Sequence, residues 1–172
     1  MAVRMELSRV FIREMTDMQI IELSEVGGSR TFPIVIGLPE AFAIERRLKG
    51  FEIPRPQTHD LLASTIRALG GTLTSIEIHD LKGGTFYAKL LVEQAGATIE
   101  IDSRPSDAIA LGVAEGVPIF VAEEVLEQAA NDPSLSAEAQ QAAAEALEQD
   151  FAEDATELFE EEEDADEDEP WQ

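Results

Sequence analysis

The sequence predicts an α+β fold: a duplicated strand-strand-strand-helix unit whose strands form a mixed, mainly antiparallel sheet core with packed helices. Three observations predict it. Short branched or aromatic runs separated by turn residues open each half of the chain, helical spacing follows each set of strands, and the two halves share element order and residue types.

Residues 3–14, 18–26 and 30–36 read as antiparallel strands, because Val10-Phe11-Ile12, Ile20-Ile21 with Leu23, and Phe32 to Ile36 are separated by Thr16-Asp17 and Gly27-Gly28-Ser29. After Gly37, Ala41, Ile44 and Leu48 fall three or four apart, as one helix face requires, until Gly50 ends the run. Pro54 and Pro56 force an extended link. Thr58 is then placed to cap a second helix with Leu61, Leu62, Ile66 and Leu69 on its apolar side, stopped by Gly70-Gly71. The second half repeats this order with strands at 72–80, 84–93 and 97–102, a helix over about 106–115, then Pro118 to Val121 and a last helix to about residue 130. Ile34-Val35-Ile36 leading to Pro39-Glu40-Ala41 resembles Ile99-Glu100-Ile101 leading to Pro105-Ser106-Asp107-Ala108. Glu40 and Asp107 thereby occupy equivalent places.

Charge divides the chain. Of 172 residues, 12 are basic and 36 acidic, for a net charge of −24, and every basic residue precedes residue 131. Residues 1–130 carry −7 and residues 131–172 carry −17. The sequence therefore predicts a folded domain over 1–130, an appended Ala/Glu-rich helix over 131–151, and a disordered acidic tail over 152–172. Nine arginines against three lysines, with strong acidity, suit a protein kept soluble at high salt.

Several classes are excluded by what is missing. No cysteine means no disulfide scaffold, thiol nucleophile or thiolate zinc site, and two histidines cannot build a histidine-rich metal cage. No run approaches the ~18 apolar residues of a membrane span, so a soluble, cytoplasmic protein without membrane partners is expected.

Two segments place a proline turn, an arginine, a hydroxyl and a carboxylate at the start of a helix: Arg55-Pro56-Gln57-Thr58-His59-Asp60 and Arg104-Pro105-Ser106-Asp107. A helix N-terminus offers unpaired N–H groups to an anion, and an arginine can fork onto the same phosphate. Arg55, Thr58, Arg104 and Ser106 are therefore candidate phosphate ligands. Thr58 and Ser106 equally suit helix caps, and Asp60 and Asp107 suit the first helical turn. His59, beside Asp60, is the candidate general base, with Asp60 and Asp107 as catalytic partners. Asp102, which ends an alternating strand just before Ser103-Arg104, and Asp107 are candidate ligands for Mg2+ or Mn2+. His79 alternates away from Ile76 and Ile78, toward solvent. Arg46, Arg47, Lys49 and Arg55 form the densest basic patch, where a phosphate path or the acidic tail would bind.

At these segments the chain resembles the bifunctional nuclease domain family, through Pro33-Ile34-Val35-Ile36-Gly37, Pro54 to Asp60, Gly84-Thr85-Phe86-Tyr87-Ala88, Ile101 to Leu111 and Pro118 to Glu124, over roughly residues 5–130. The family usually has leucine at the place of Gln57, alanine at Ser103 and aspartate at Gly83. The last difference leaves Asp80 as the one acid of that turn. The resemblance implies an α+β domain, often dimeric, whose plant members are described as degrading RNA and DNA. The expected function is a nuclease hydrolysing phosphodiester bonds with a divalent metal, as a homodimer. The alternative is a non-catalytic regulatory module that binds a small anionic ligand or a protein, which suits the negative charge better.

Overall fold

The computed structural model describes residues 1–13, 17–133 and 135. Among these residues seven strands and four α-helices follow one another: β1 (Ala2–Phe11), β2 (Met18–Glu25), β3 (Thr31–Gly37), α1 (Leu38–Leu48), α2 (Thr58–Ala68), β4 (Gly71–Lys82), β5 (Thr85–Gln94), β6 (Ala97–Ser103), α3 (Pro105–Gly112), β7 (Ile119–Ala122) and α4 (Glu123–Asn131). This is the mixed α+β architecture that the patterning predicts. The expected appended helix and acidic tail lie outside the described residues, apart from 131–133 and 135.

All seven strands form one sheet in the order β3-β2-β1-β7-β4-β5-β6. Every neighbouring pair is antiparallel except β4 with β7, which run parallel through Ile76–Ile119 and Ile78–Val121. The four-residue strand β7, read in sequence only as Pro118 to Val121, is thus the central strand joining two three-stranded meanders. Its two inward side chains, Ile119 and Val121, are buried. The β4–β5 hairpin turns on Gly83 and Gly84, with φ of +56° and +78°. A two-residue turn of that hand matches the twist of the strands, and glycine reaches it without strain.

The sheet is strongly curled. Register shifts interrupt β1–β2 between Leu7 and Arg9, and β4–β5 between Leu73 and Ser75 and between Ile78 and Asp80; such bulges bend a strand and increase its twist. The bending brings Phe32 of the edge strand β3 onto Phe86 of β5, edge to face at 5.1 Å between ring centres. Helix α3 lies inside the curl. Every one of its residues is buried except Asp107, which explains why its sequence, Pro-Ser-Asp-Ala-Ile-Ala-Leu-Gly, is apolar all round rather than striped. Ala41 and Ile44 of α1, Ala63 of α2, and Ile76, Ile78, Ala88 and Leu90 of the sheet complete the core. His79 is exposed, as alternation requires.

Two helix starts differ from the expected caps. Gln57 is the N-cap of α2 and Thr58 its first residue. Asp60 accepts a hydrogen bond from the Gln57 backbone N–H at 3.0 Å, so the carboxylate supplies the capping interaction. Arg104 is the N-cap of α3, with Pro105 first and Ser106 second. Proline favours the first helical position because its missing N–H would be unpaired there anyway; Ser106 is then carried inward and buried.

Candidate active site

The start of α3 meets the first turn of α1 through Arg104 and Glu40 and that of α2 through Asp107 and His59, and each of the three helices carries a carboxylate at the third helical position: Glu40 in α1, Asp60 in α2 and Asp107 in α3. The positive end of the helix dipole favours an anion at that position. What each carboxylate does depends on its partners.

Asp107 is the centre of a four-residue cluster. Its Oδ1 lies 3.0 Å from His59 Nε2, while Arg104 bonds the same carboxylate through Nε to Oδ2 at 2.7 Å and Nη2 to Oδ1 at 3.1 Å. Arg104 Nη2 also donates to Glu40 Oε1 at 2.6 Å. The two arginine-proline corners therefore meet through His59 and Asp107, which are 48 residues apart in sequence. Burial pushes the Asp107 carboxyl up, but Arg104 and His59 outweigh it and hold the group below its usual range. Arg104 is raised further above its already high value, first by Asp107 and then by Glu40.

Exposure separates the members. The side chains of His59 and Glu40 are 16% and 13% exposed, whereas Arg104 is 65% exposed. Its Nη1 makes no hydrogen bond among the described residues, leaving a charged donor facing solvent at the cluster's rim.

Asp60 does not join this cluster. Arg46 Nη2 and Arg47 Nη1 bond its two oxygens at 2.7 Å and 2.5 Å, and Arg47 Nη2 continues to the Leu111 carbonyl at 3.1 Å. Burial raises the Asp60 carboxyl, but Arg46, the Gln57 N–H and Arg47 together hold it low. The group ties α1, α2 and α3 together. This also dissolves the expected basic patch, because Arg46 and Arg47 are consumed by Asp60 and Lys49 pairs with Glu45 at 2.8 Å. Arg55 is left exposed and takes no ion pair among the described residues.

Asp102 is not brought to Asp107. It stands opposite Lys89 in the β5–β6 register, and Lys89 alternates with the buried Ala88 and Leu90. Both therefore project from the sheet face away from α3. Lys89 is bonded by Glu77 and Glu100, each at 3.1 Å. Thr58 is exposed at the start of α2, and Ser106 is buried behind Asp107. Glu40 is the cluster member that sequence reasoning left outside its site. The signal was present in the equivalence of Pro39-Glu40 with Pro105-Ser106-Asp107, since both acids fall at the third position of a helix and meet one arginine.

Among the described residues no group of three or more acidic or histidine side chains is arranged to hold a metal ion. Both Asp107 oxygens and one Glu40 oxygen are already engaged by Arg104 or His59. A divalent cation would have to displace a guanidinium, so the donors as arranged do not fit Mg2+ or Mn2+. No described helix is long and apolar enough to cross a membrane.

Known proteins resemble this chain over much of its length. An uncharacterized protein of Mycobacterium tuberculosis (strain H37Rv) is 46% identical over 110 residues, 64% of this chain and 65% of that protein. Bifunctional nuclease 1 of Oryza sativa subsp. japonica is 26% identical over 105 residues, 59% of this chain but 32% of the rice protein. The matches thus span less than two thirds of these relatives' own lengths. A family model described as the bifunctional nuclease domain matches residues 21–134, which include every member of the cluster. The chain belongs to the bifunctional nuclease domain family.

Proposed function

We propose that this chain is a nuclease that hydrolyses phosphodiester bonds of RNA, DNA or both, with His59, Asp107 and Arg104 as its reacting centre. The observation that carries this reading is the 3.0 Å contact between His59 and an Asp107 that is held ionised by an exposed arginine. When Nε2–H donates to Asp107, the tautomer is fixed and Nδ1 becomes the proton acceptor. That nitrogen can take a proton from an attacking water or ribose hydroxyl, while the carboxylate stabilises the imidazolium that forms. Arg104 Nη1, with Arg55 from the neighbouring corner, meets charge growing on the phosphoryl oxygens. No step is routed through a metal. Asp60 enters as a positioning residue, because it fixes the α2 turn that presents His59.

Net charge opposes the substrate, since like-charged macromolecules repel at low salt. Moderate salt screens that repulsion, which places the expected working range there. Homodimerisation and a cytoplasmic location belong to the same proposal. The exposed Leu61 and Leu62 of α2, Leu69 just after it, and Ile99 and Ile101 of β6 offer apolar surface for a second copy.

The test is cleavage of labelled single- and double-stranded RNA and DNA by the purified full chain, with EDTA and with added Mn2+. His59→Ala is expected to lower the rate by about 10²–10⁴-fold without loss of folding, and activity is expected to persist in EDTA. Activity lost in EDTA and restored by Mn2+ would assign the reaction to an ion that displaces Arg104. Anion binding without turnover in every condition would replace the nuclease reading with a regulatory module.

A further inference from the structure

A cleft of about 400 Å3 lies beside Arg104, between the exposed edge of β3, the β4–β5 hairpin and the start of α3. We infer that this cleft is a subsite for one unpaired nucleotide: it takes the base, while the adjoining phosphate rests on Arg104. The inference rests on the nuclease reading for its phosphate end only.

The shape of the lining argues for a flat polar ring. Four consecutive residues, Ile34 to Gly37, line one wall. A strand whose side chains alternate can line a cleft continuously only along its backbone edge. Among the described residues strand β3 is the terminal strand of the sheet and pairs with β2 alone, so alternate residues direct both N–H and C=O away from β2. The wall therefore offers donors and acceptors in the plane of an inserted base. Phe86 and Pro105 add apolar lining as a floor for the ring in this proposal, with Phe86 held edge to face against Phe32. A base in contact with such a floor gains stacking and apolar contact whatever its identity.

Charge fixes the orientation. Arg104 lines the cleft and also belongs to the His59–Asp107–Glu40 cluster, so it is the junction between them. Asp17 also lines the cleft and repels phosphate, yet it can accept a hydrogen bond from a sugar hydroxyl or an exocyclic amine. The phosphate therefore belongs at the arginine, which also bonds the Asp107 that meets His59. A base held in this way cannot remain paired in a duplex, because its hydrogen-bonding edge faces the strand rather than a complementary base. The substrate class is single-stranded or locally opened nucleic acid.

The test is calorimetric titration of the full chain with adenosine 5′-monophosphate, ribose 5-phosphate and inorganic phosphate. The nucleotide is expected to bind about tenfold more tightly than the sugar phosphate. Thr85 is exposed at the cleft rim, and Thr85→Trp is expected to remove the nucleotide's advantage while leaving phosphate binding unchanged. Thr85→Phe serves if the larger ring perturbs the hairpin. Equal affinity for the nucleotide and ribose 5-phosphate overturns the subsite, as does a base preference that survives both substitutions. A short peptide with a free carboxylate that competes as well as the nucleotide also overturns it, since an edge strand can pair with an extended chain. Nucleotide binding without cleavage would retire the hydrolytic reading and keep the subsite. Cleavage that is equally fast next to an abasic position would do the reverse.

Discussion

Asp60 and Asp107 occupy the same position, the third residue of a helix, and both are held ionised by arginine. They nevertheless differ in kind. The partners of Asp60 are 15% and 9% exposed, and one of them is anchored again on the Leu111 carbonyl. Every strong interaction there points inward, joining three helices. The partners of Asp107 include a histidine with a second ring nitrogen and an arginine that is two-thirds exposed with a nitrogen to spare. An acid at a helix start is a clamp when its cations are buried with it, and a site when they are shared with solvent.

The largest expected effect breaks this contrast at its structural end. Asp60→Ala strands Arg46 and Arg47, whose Nε atoms are already buried without a partner among the described residues. Removing one member of a largely buried ion pair costs about 3–5 kcal/mol. Urea denaturation should show a loss of that order, with little change for Asp107→Ala, whose main partner reaches water. Equal losses at the two positions would erase the distinction.

Acid titration sharpens the same contrast. Both carboxyls lie below their unfolded value of 3.8, so the stability they contribute is fully present above that value. It is lost as pH falls through 3.8 toward their folded values. Unfolding free energy should decline steeply below about pH 4. Asp60→Asn should be less stable at neutral pH and shallower in its acid decline. A variant slope identical to the parent's would show that Asp60 is not an important source of the acid sensitivity.

The fold was largely legible because its signals are local. Alternation in Ile76-Glu77-Ile78-His79, the three- and four-residue spacing of Ala41, Ile44 and Leu48, and the Gly83-Gly84 turn each follow from steric and solvent rules acting within a few residues. Strand β7 was less legible: four residues between Pro118 and Glu123 carry no period long enough to reveal a strand, and its central place depends on pairing with β1 and β4, both distant in sequence. The candidate site divides in the same way. His59, Asp107 and Arg104 were visible as helix-start chemistry. That Arg46 and Arg47 are spent internally, or that Asp102 faces away from α3, depends on tertiary contacts and strand register, which residue spacing does not encode.

The smallest expected effect concerns Glu40, which touches neither His59 nor any substrate atom in the proposed chemistry and acts by holding Arg104. Glu40→Gln keeps the shape and replaces the carboxylate acceptor of the guanidinium by a neutral amide oxygen, a change of roughly 1 kcal/mol. The rate should fall about fivefold, chiefly in kcat if Arg104 meets charge that develops in the transition state. Gly37→Ala approaches the same interaction from behind. The backbone of Gly37 is ordinary extended chain, with φ −78° and ψ 157°, so alanine is not strained there, yet its Cβ would collide with the Glu40 carboxylate. The carboxylate is the flexible end of its side chain and can swing aside, so folding should be kept while Arg104 is released. A Gly37→Ala, Glu40→Gln double variant should then be no slower than the worse single variant, because both changes act through one contact. Additive losses would mean that Gly37 matters for the adjoining cleft rather than for the arginine.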